Sequence, residues 1–285
     1  MTFAVIERNY QEVLAPLYPV EEIKHLFLIA LQKVSSIPAS RYLIERDNPA
    51  EVDIVVAMDD ILKALRLGEP IQHILGETYF YGLTFSVSKD TLIPRSETEE
   101  LVHLIIQNHR EEVGLAVMDI GTGSGCIAVA LARNLPLSRV SAVDISSAAL
   151  SVARLNADRL GQNVNFVLGD ILEWDVIFSS QQYFDVIVSN PPYITPKEKM
   201  LMHRNVLQYE PHLALFVEEE APLLFYDYIA DFALSHLTMK GRLYFEINQY
   251  LGQETADLLR KKGFSEVDII KDMQGADRII VAKRG

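Results

Sequence analysis

The sequence predicts an α/β protein in which a doubly wound, mostly parallel sheet follows a small helical domain and a short β-hairpin. Three observations lead to this fold class. Apolar residues have helical spacing from residue 1 to about 75, a strand-type alternation follows, and strand and helix patterns alternate from about residue 98 onward. A chain of 285 residues is long enough for two modest domains. The predicted divisions are 1–75, 76–97 and 98–285.

The first 75 residues are predicted to be helical. Apolar residues lie on one helical face in Glu21–Val34 and again in Glu51–Leu67. Pro38 and Pro49 mark breaks between the helices, and Gly68 followed by a proline ends the last one. This segment is predicted to be a separate domain that binds the substrate.

A strand period replaces the helical one at Tyr79. Large apolar residues alternate with smaller or polar ones, and Gly82 indicates a hairpin turn or a bulge. The alternating residues are Tyr79, Tyr81, Leu83, Phe85 and Val87. Phe85 is interpreted as hairpin core rather than as part of a cofactor site.

The rest of the chain has the strand-helix alternation of a parallel sheet. The predicted strands are Ala116–Ile120, Val140–Asp144, Val164–Leu168, Phe184–Ser189, Arg242–Ile247, Val267–Lys271 and Arg278–Lys283. The predicted helices are Ser124–Asn134, Ser147–Leu160, Glu220–Leu237 and Gln249–Lys262.

Composition restricts the class of protein. The hydrophobic fraction of 49% indicates a well-filled core, and the net charge of −13 argues against a general nucleic-acid binder. The single cysteine, Cys126, excludes a disulfide framework and fits a reducing compartment. No apolar run is long enough to span a membrane, and the N-terminus lacks the pattern of a signal or transit peptide. We therefore expect a cytoplasmic enzyme.

A glycine-rich loop follows the first strand of the predicted sheet. Gly121, Thr122, Gly123, Ser124 and Gly125 connect this strand to a helix, whose N-terminal N–H groups point at any bound molecule. The loop departs from the dinucleotide-binding fingerprint, because Cys126 stands where its third glycine would fall. We interpret the loop as a nucleoside-cofactor site and Cys126 as a small core residue.

Two aspartates extend the predicted cofactor site. Asp144 ends the second strand about twenty residues after the loop, where a carboxylate accepts hydrogen bonds from ribose hydroxyls. Asp170 follows the third strand and is a candidate for binding the adenine amino group. Helix capping or turn formation is the alternative role for both. The predicted cofactor-binding set also includes Ile171 and Asn190.

The segment Asn190-Pro191-Pro192-Tyr193 ends a buried apolar strand. Two prolines stop the strand and leave a stiff polar tip at its carboxyl end, where ligands bind in open α/β sheets. The side-chain oxygen of Asn190 and the carbonyl of Pro191 are two acceptors that can hold both hydrogens of a planar –NH2 group. This pattern suits a methyltransferase whose target is an amide or an exocyclic amine. Tyr193 is a candidate to pack against the target, or else a plain aromatic.

These motifs together resemble the HemK/PrmC family, and the resemblance runs nearly end to end. It includes Asp-Ile-Gly-Thr-Gly-Ser-Gly in the loop, Asp144, Asn-Pro-Pro-Tyr, Gly68–His73, Phe80–Gly82, Leu92–Glu99, Tyr209–Pro211, Glu246–Ile247 and Asp277–Arg278. Ser96 and His73 stand where the family usually has proline and tyrosine.

The resemblance implies a class I (Rossmann-like) methyltransferase fold with a mostly parallel seven-stranded sheet. It implies methyl transfer from S-adenosylmethionine, without a metal, to the N5 amide nitrogen of the glutamine in the Gly-Gly-Gln motif of class 1 peptide-chain release factors. Asn190, Pro191 and Tyr193 are then the catalytic residues, and Pro192 joins them in binding the substrate. No membrane or direct nucleic-acid partner is expected.

Several alternatives stay open from the sequence. A related branch of the family modifies a ribosomal protein, and Asn-Pro-Pro-Tyr is shared with DNA adenine methyltransferases. Residues 1–95 carry 9 Lys+Arg against 13 Asp+Glu, and the resulting negative net charge does not suit a domain that binds DNA. A non-enzymatic cofactor sensor is a third possibility.

The roles of four charged residues also stay open. Arg95, Glu97 and Glu99 either close over the cofactor or form ion pairs and a helix start. Glu246 is left outside the predicted site, as a strand-end carboxylate or a cap.

Overall fold

The computed structural model describes residues 1–200, 202 and 204–285. The chain forms two compact units. The first comprises Met1–Glu77 together with the helix Arg204–Tyr209, and the second comprises the other described residues. Within the described residues, none of the helices combines the length and the apolar character that a membrane span requires.

The helices and strands follow in chain order. The helices are α1 (Phe3–Leu14), α2 (Val20–Ser35), α3 (Ala39–Glu45), α4 (Val52–Leu67), α5 (Ile71–Leu75), α6 (Ser96–His109), α7 (Cys126–Asn134), α8 (Ser147–Arg159), α9 (Trp174–Ile177), α10 (Pro196–Lys199), α11 (Arg204–Tyr209), α12 (Leu224–His236) and α13 (Gly252–Lys262). The strands are β1 (Glu77–Phe80), β2 (Leu83–Ser86), β3 (Ala116–Ile120), β4 (Arg139–Asp144), β5 (Val164–Leu168), β6 (Phe184–Ser189), β7 (Leu237–Glu246), β8 (Phe264–Lys271) and β9 (Asp277–Arg284).

The first unit is helical around a core of its own. Phe27 makes edge-to-face contacts with Tyr10 and Tyr42, at ring-centroid distances of 5.4 and 5.2 Å. The hydroxyl of buried Tyr10 donates to the carbonyl of Met58 at 2.7 Å, which satisfies its polar atom inside the core. These contacts join α1, α2, α3 and α4 into one hydrophobic cluster.

Helix α11 belongs to the first unit although it lies far along the sequence. Asn205 donates to the hydroxyl of Tyr18 at 2.9 Å, and the hydroxyl of Tyr209 donates to the carbonyl of Leu67 at 3.1 Å. No helix was predicted for this segment, because six residues are too few to show a helical period.

The second unit is built on a seven-stranded sheet with the order β5-β4-β3-β6-β7-β9-β8. The pairs from β5 to β7 are parallel, whereas β9 is antiparallel to both of its neighbours. This confirms the predicted mostly parallel α/β sheet. Hydrophobic clusters cover its two faces, one including residues of α6 and α7 and the other including residues of α12 and α13.

The predicted bounds differ most from the structure in two neighbouring elements, whereas the first residues of α7, α13 and β8 differ by two or three positions. Strand β7 begins at Leu237 rather than at Arg242, because the β6–β7 register shifts between Phe184 and Val186 and disturbs the apolar alternation. Helix α12 begins at Leu224 rather than at Glu220, and the acidic run 218–220 is exposed and non-helical.

The hairpin β1–β2 is attached to the sheet unit. Phe80 and Phe85 are buried edge to face at 6.0 Å and belong to one of the sheet's two cores. Asn156 of α8 accepts from the backbone N–H of Ser86 at 2.7 Å and donates to its carbonyl at 2.9 Å. Phe85 is therefore hairpin core, as predicted.

Strand order reverses between β3 and β6, since the chain moves outward from β3 through β4 and β5 and then returns to the other side of β3. Open α/β sheets bind ligands at such a switch point, beyond the carboxyl ends of the strands. The loop after β3 and the residues after β6 both lie at this edge.

Candidate active site

A cavity of about 340 Å³ lies at the carboxyl ends of β3, β4 and β6, within the sheet unit. It is in the size range of pockets that hold small-molecule ligands. The cavity brings together two motifs that are distant in sequence. Its lining includes these predicted residues: Gly121, Gly123, Asp144, Asp170, Ile171, Asn190, Pro191 and Pro192.

Backbone geometry explains the glycines of the loop. Gly121, Gly123 and Gly125 have φ angles of 72°, 55° and 80°, in the left-handed region that disfavours side chains. Thr122, Ser124 and Gly125 do not line the cavity. The Thr122 hydroxyl instead donates to buried Asp119 at 2.6 Å, and the carbonyl of Ser124 accepts from Asn156 at 2.9 Å. These three residues therefore shape the loop while Gly121 and Gly123 face the cavity.

Substitution of Gly125 is expected to destabilise the loop. A Cβ there would lie 3.0 Å from the Cβ of Ala153 in α8, in addition to the strain of a positive φ. We expect Gly125→Ala to lower the free energy of unfolding by about 2–4 kcal/mol in urea denaturation. The control Gly114→Ala has φ of 75° and open space around the new Cβ, so it is expected to cost only about 1–2 kcal/mol. Equal losses for the two variants would contradict the close approach to α8.

Asp119 is a buried carboxylate beneath the loop that the sequence analysis did not single out. Its Oδ2 accepts from the Thr122 hydroxyl at 2.6 Å and from the backbone N–H of Ala128 at 3.2 Å. Its Oδ1 is buried without a hydrogen bond among the described residues. Burial raises the pKa of Asp119 to about 7, against the lowering effect of its two hydrogen bonds.

The pKa of Asp119 predicts a pH-dependent stability. A carboxyl group with a higher pKa in the folded state favours folding when protonated, and this contribution is lost as the pH rises from about 4 through about 7. The stability of wild type relative to Asp119→Asn should therefore fall over that range, as measured by urea denaturation. Exposed Asp175→Asn serves as the control. Parallel stability curves for wild type and Asp119→Asn would be inconsistent with this assignment.

Asp144 connects the loop to the next helix. One carboxylate oxygen accepts from the N–H of Gly123 and the other from the N–H of Ser146, both at 2.8 Å. Burial raises the pKa of Asp144, and these backbone hydrogen bonds oppose the rise. Because each carboxylate oxygen has a second lone pair, Asp144 retains acceptors for hydroxyl groups in the cavity.

Asp170 caps a short helix and also lines the cavity. Its Oδ1 accepts from the N–H of Leu172 at 2.9 Å and caps the short 3₁₀ helix Ile171–Glu173. The residue also lines the cavity, together with Ile171, which is buried in the adjoining core. Capping thus accounts for one of its oxygens and leaves the cofactor interaction as a prediction.

Part of the cavity wall was missed in the sequence. Residues 89–92, which follow the hairpin, line it, as do Leu213, Phe225 and Ile229. Apart from Leu92, which begins the Leu92–Glu99 motif, no local pattern marks these residues, since their position depends on how distant segments pack.

Arg95, Glu97 and Glu99 lie at a helix start, where Arg95 forms an ion pair and Glu99 a hydrogen bond, and none of the three lines the cavity. The Arg95 guanidinium lies 2.5 Å from Glu210, whose carboxylate also accepts from the N–H of Ile93. Glu99 accepts from the N–H of Tyr81 at 2.8 Å, and Glu97 lies in the first turn of α6. The structure therefore agrees with the interpretation of these residues as ion pairs and a helix start.

Asn190 directly follows β6 and lines the cavity with Pro191 and Pro192. Its Nδ2 donates to the hydroxyl oxygen of Thr98 at 3.2 Å, and no hydrogen bond to its Oδ1 is found in the described part of the chain. Tyr193 does not line the cavity, and its hydroxyl donates to buried Glu246 at 3.0 Å. Glu246 was predicted to lie outside the site, and Thr98 was noted only as part of the Leu92–Glu99 motif.

Comparisons with known proteins agree with this geometry. A methyltransferase domain matches residues 111–254. Release factor glutamine methyltransferase from Flavobacterium psychrophilum is 44% identical over 96% of this chain and 97% of its own length. The enzyme of the same name from Bacteroides thetaiotaomicron is 41% identical over 99% of this chain and 98% of its own.

The chain belongs to the release factor glutamine methyltransferase family. It is therefore a methyltransferase that depends on S-adenosylmethionine, as the sequence analysis predicted. The family relationship spans both units, since the aligned regions cover nearly the whole chain.

Solved structures agree at the level of the fold. A methyltransferase from Pyrococcus furiosus superposes with a TM-score of 0.51 over 72% of this chain and 91% of its own, at 21% identity. The 16S rRNA N2 G1207 methyltransferase of T. thermophilus gives a TM-score of 0.52 over 73% of this chain and 50% of its own, at 17% identity. These likenesses establish the class I methyltransferase fold.

Proposed function

We propose that this enzyme transfers a methyl group from S-adenosylmethionine to the N5 amide nitrogen of the glutamine in the Gly-Gly-Gln motif of class 1 release factors. The observation that carries the proposal is the carboxamide of Asn190. It lies on the wall of the cavity that Gly121 and Asp144 also line, and its oxygen has no hydrogen bond among the described residues. The names of the relatives support a release factor as the substrate and the cytoplasm as the location.

The residues of the cavity fit the cofactor. The cavity combines an apolar wall with the carboxylates of Asp144 and Asp170, which suits a nucleoside that has a ribose diol and an amino group. Gly121 and Gly123 allow the backbone to approach closely. When bound, S-adenosylmethionine supplies a methyl group that its sulfonium makes electrophilic. The protein's own task is to bind and orient the two reactants.

An amide nitrogen is a poor nucleophile because its lone pair is delocalised. The Oδ1 of Asn190 and the carbonyl of Pro191 accept hydrogen bonds from the two N–H groups of the target amide. These bonds raise the electron density on the amide nitrogen and fix the direction of its lone pair. These hydrogen bonds strengthen as positive charge develops on the nitrogen, so they act on the transition state. Tyr193 does not line the cavity, so we assign it a supporting role, through its hydrogen bond to Glu246, rather than contact with the amide. The proton leaves to water after transfer.

We assign the first unit to binding the part of the release factor that lies outside its Gly-Gly-Gln loop. It has a separate core, and none of the described residues that line the cavity belongs to it. Its acidic balance does not favour a nucleic acid as the partner.

Mass spectrometry of release factors after incubation with enzyme and cofactor tests the proposed function. We expect a gain of about 14 Da, the mass of one CH2 group, on the Gly-Gly-Gln glutamine. A Gln→Ala factor and plasmid DNA are the controls and should remain unmodified. Methylation of DNA, or of another residue, would contradict the proposed substrate. If a short Gly-Gly-Gln peptide were modified as efficiently as the whole factor, the role assigned to the first unit would be wrong.

A further inference from the structure

Glu246 is a buried carboxylate at the end of β7, next to the tip of β6 that bears Asn190. The parallel register pairs Ser189 with Phe245, so Asn190 and Glu246 are the residues that follow on the two strands. One oxygen of Glu246 accepts from the Tyr193 hydroxyl at 3.0 Å, and the other accepts from the Thr98 hydroxyl at 2.6 Å.

Thr98 connects Glu246 to Asn190. It lies in the first turn of α6 and is 3% exposed, so its hydroxyl is shielded from water. The same hydroxyl oxygen that donates to Glu246 accepts from the Nδ2 of Asn190 at 3.2 Å. A chain of two hydrogen bonds therefore runs from Asn190 through Thr98 to Glu246.

The direction of this chain follows from the chemistry of its end. Burial raises the pKa of Glu246. The hydrogen bonds from Thr98 and Tyr193 and the positive charge of Arg278 oppose this rise and favour the ionised form. An ionised carboxylate only accepts, so the single hydroxyl hydrogen of Thr98 goes to Glu246. Thr98 can then only accept from Asn190, and the –NH2 group of Asn190 must face it. The carboxamide oxygen is left on the opposite side, as an acceptor for the –NH2 of a target.

Without this constraint the carboxamide of Asn190 has two nearly isosteric orientations. A threonine hydroxyl that is free to rotate accommodates either, because it both donates and accepts. The flipped orientation would present the –NH2 of Asn190 to the –NH2 of the target, and neither group can accept from the other.

We infer that Thr98 and Glu246 are positioning residues that set the orientation of the Asn190 carboxamide for the methyl-accepting amide. This inference rests on the proposed function of Asn190 as the acceptor for that amide. Glu246 also holds the hydroxyl of Tyr193, so one carboxylate fixes the first and the last residues of the Asn-Pro-Pro-Tyr segment. Glu246 thus belongs to the active site through other side chains and need not touch the substrate itself.

The test compares steady-state methylation by full-length variants. Thr98→Val removes the hydroxyl at nearly constant volume, and we expect kcat to fall at least about tenfold with small changes in KM and in cofactor affinity. Thr98→Ser keeps the hydroxyl and should restore most of the rate. Glu246→Gln replaces one of the two acceptor oxygens by an –NH2, so the hydroxyls of Thr98 and Tyr193 can no longer both donate to this side chain, and the flipped Asn190 is permitted whenever the –NH2 faces Thr98. It should lower kcat in the same way.

Thr255→Val is the matched control. Thr255 is as buried as Thr98, but its hydroxyl donates to the backbone carbonyl of Leu251 within α13, so kcat should not change. The inference also predicts that the effects of Thr98→Val and Glu246→Gln do not add in the double variant, because Glu246 acts on Asn190 through Thr98.

The outcomes separate the inference from the proposed function. Wild-type kcat in folded Thr98→Val, or an equal loss in Thr255→Val, overturns the inference. If Thr98→Val does not fold, Thr98→Ala, which also lacks the hydroxyl, takes its place, and a wild-type kcat in that variant overturns the inference. If Asn190→Ala is itself fully active, the proposed function fails along with the inference. If Asn190→Ala is inactive while both Thr98→Val and Glu246→Gln are normal, only the inference fails.

Discussion

Asn190→Ala is expected to lower the turnover of methyl transfer at least about a hundredfold while cofactor binding changes little. The substitution removes the side-chain oxygen that, in the proposed function, accepts a hydrogen bond from one N–H of the target amide. Deleting one such preorganised hydrogen bond costs about 2–4 kcal/mol of transition-state stabilisation in comparable sites. The loss should appear mainly in kcat, because the bond strengthens as charge develops on the nitrogen.

Single-turnover methylation and calorimetric titration with the cofactor measure the two effects separately. Asn165→Ala is the control, since Asn165 is an exposed asparagine on β5. Asn190→Asp is a sharper variant. It keeps an oxygen at the same position but loses the –NH2 group that donates a hydrogen bond to the Thr98 hydroxyl oxygen. We expect it to be impaired as well. Near-normal turnover in Asn190→Ala would refute the assignment of Asn190 as an acceptor.

The sequence was sufficient to predict the parts of the site that depend on local patterns. The strand Phe184–Ser189 is a continuous apolar run that two prolines end, so both its burial and the position of Asn190 followed from neighbouring residues. The glycine loop and Asp144 were likewise predicted from the spacing within one strand-helix-strand segment. The structure brings both motifs to the same cavity.

The parts that were missed depend on contacts between distant segments. Thr98 and Glu246 are 148 residues apart, and their hydrogen bond exists only because α6 packs near the end of β7. Helix α11 joins the first unit through Asn205 and Tyr209, and neither residue has a sequence signal for that partner. Single-sequence patterns report which face of an element is buried but not what covers it.

Asp144→Ala is expected to have the opposite kinetic signature to Asn190→Ala. The substitution removes the carboxylate that lines the cavity and accepts from the N–H groups of Gly123 and Ser146. A hydrogen bond to a charged group contributes about 1.5–3 kcal/mol, and a ribose diol makes two of them. The dissociation constant of the cofactor should therefore rise at least about a hundredfold.

Turnover at saturating cofactor should stay within about threefold of wild type in Asp144→Ala, because Asp144 does not contact the amide-binding end of the cavity in this interpretation. Calorimetric titration gives the affinity, and methylation at increasing cofactor concentration gives the rate. Asp158→Ala, an exposed aspartate on the helix that follows Asp144, is the matched control. If Asp144→Ala instead lost turnover at saturating cofactor with an unchanged affinity, Asp144 would act in the methyl transfer itself. The assignment of cofactor binding to one end of the cavity and amide binding to the other would then be wrong.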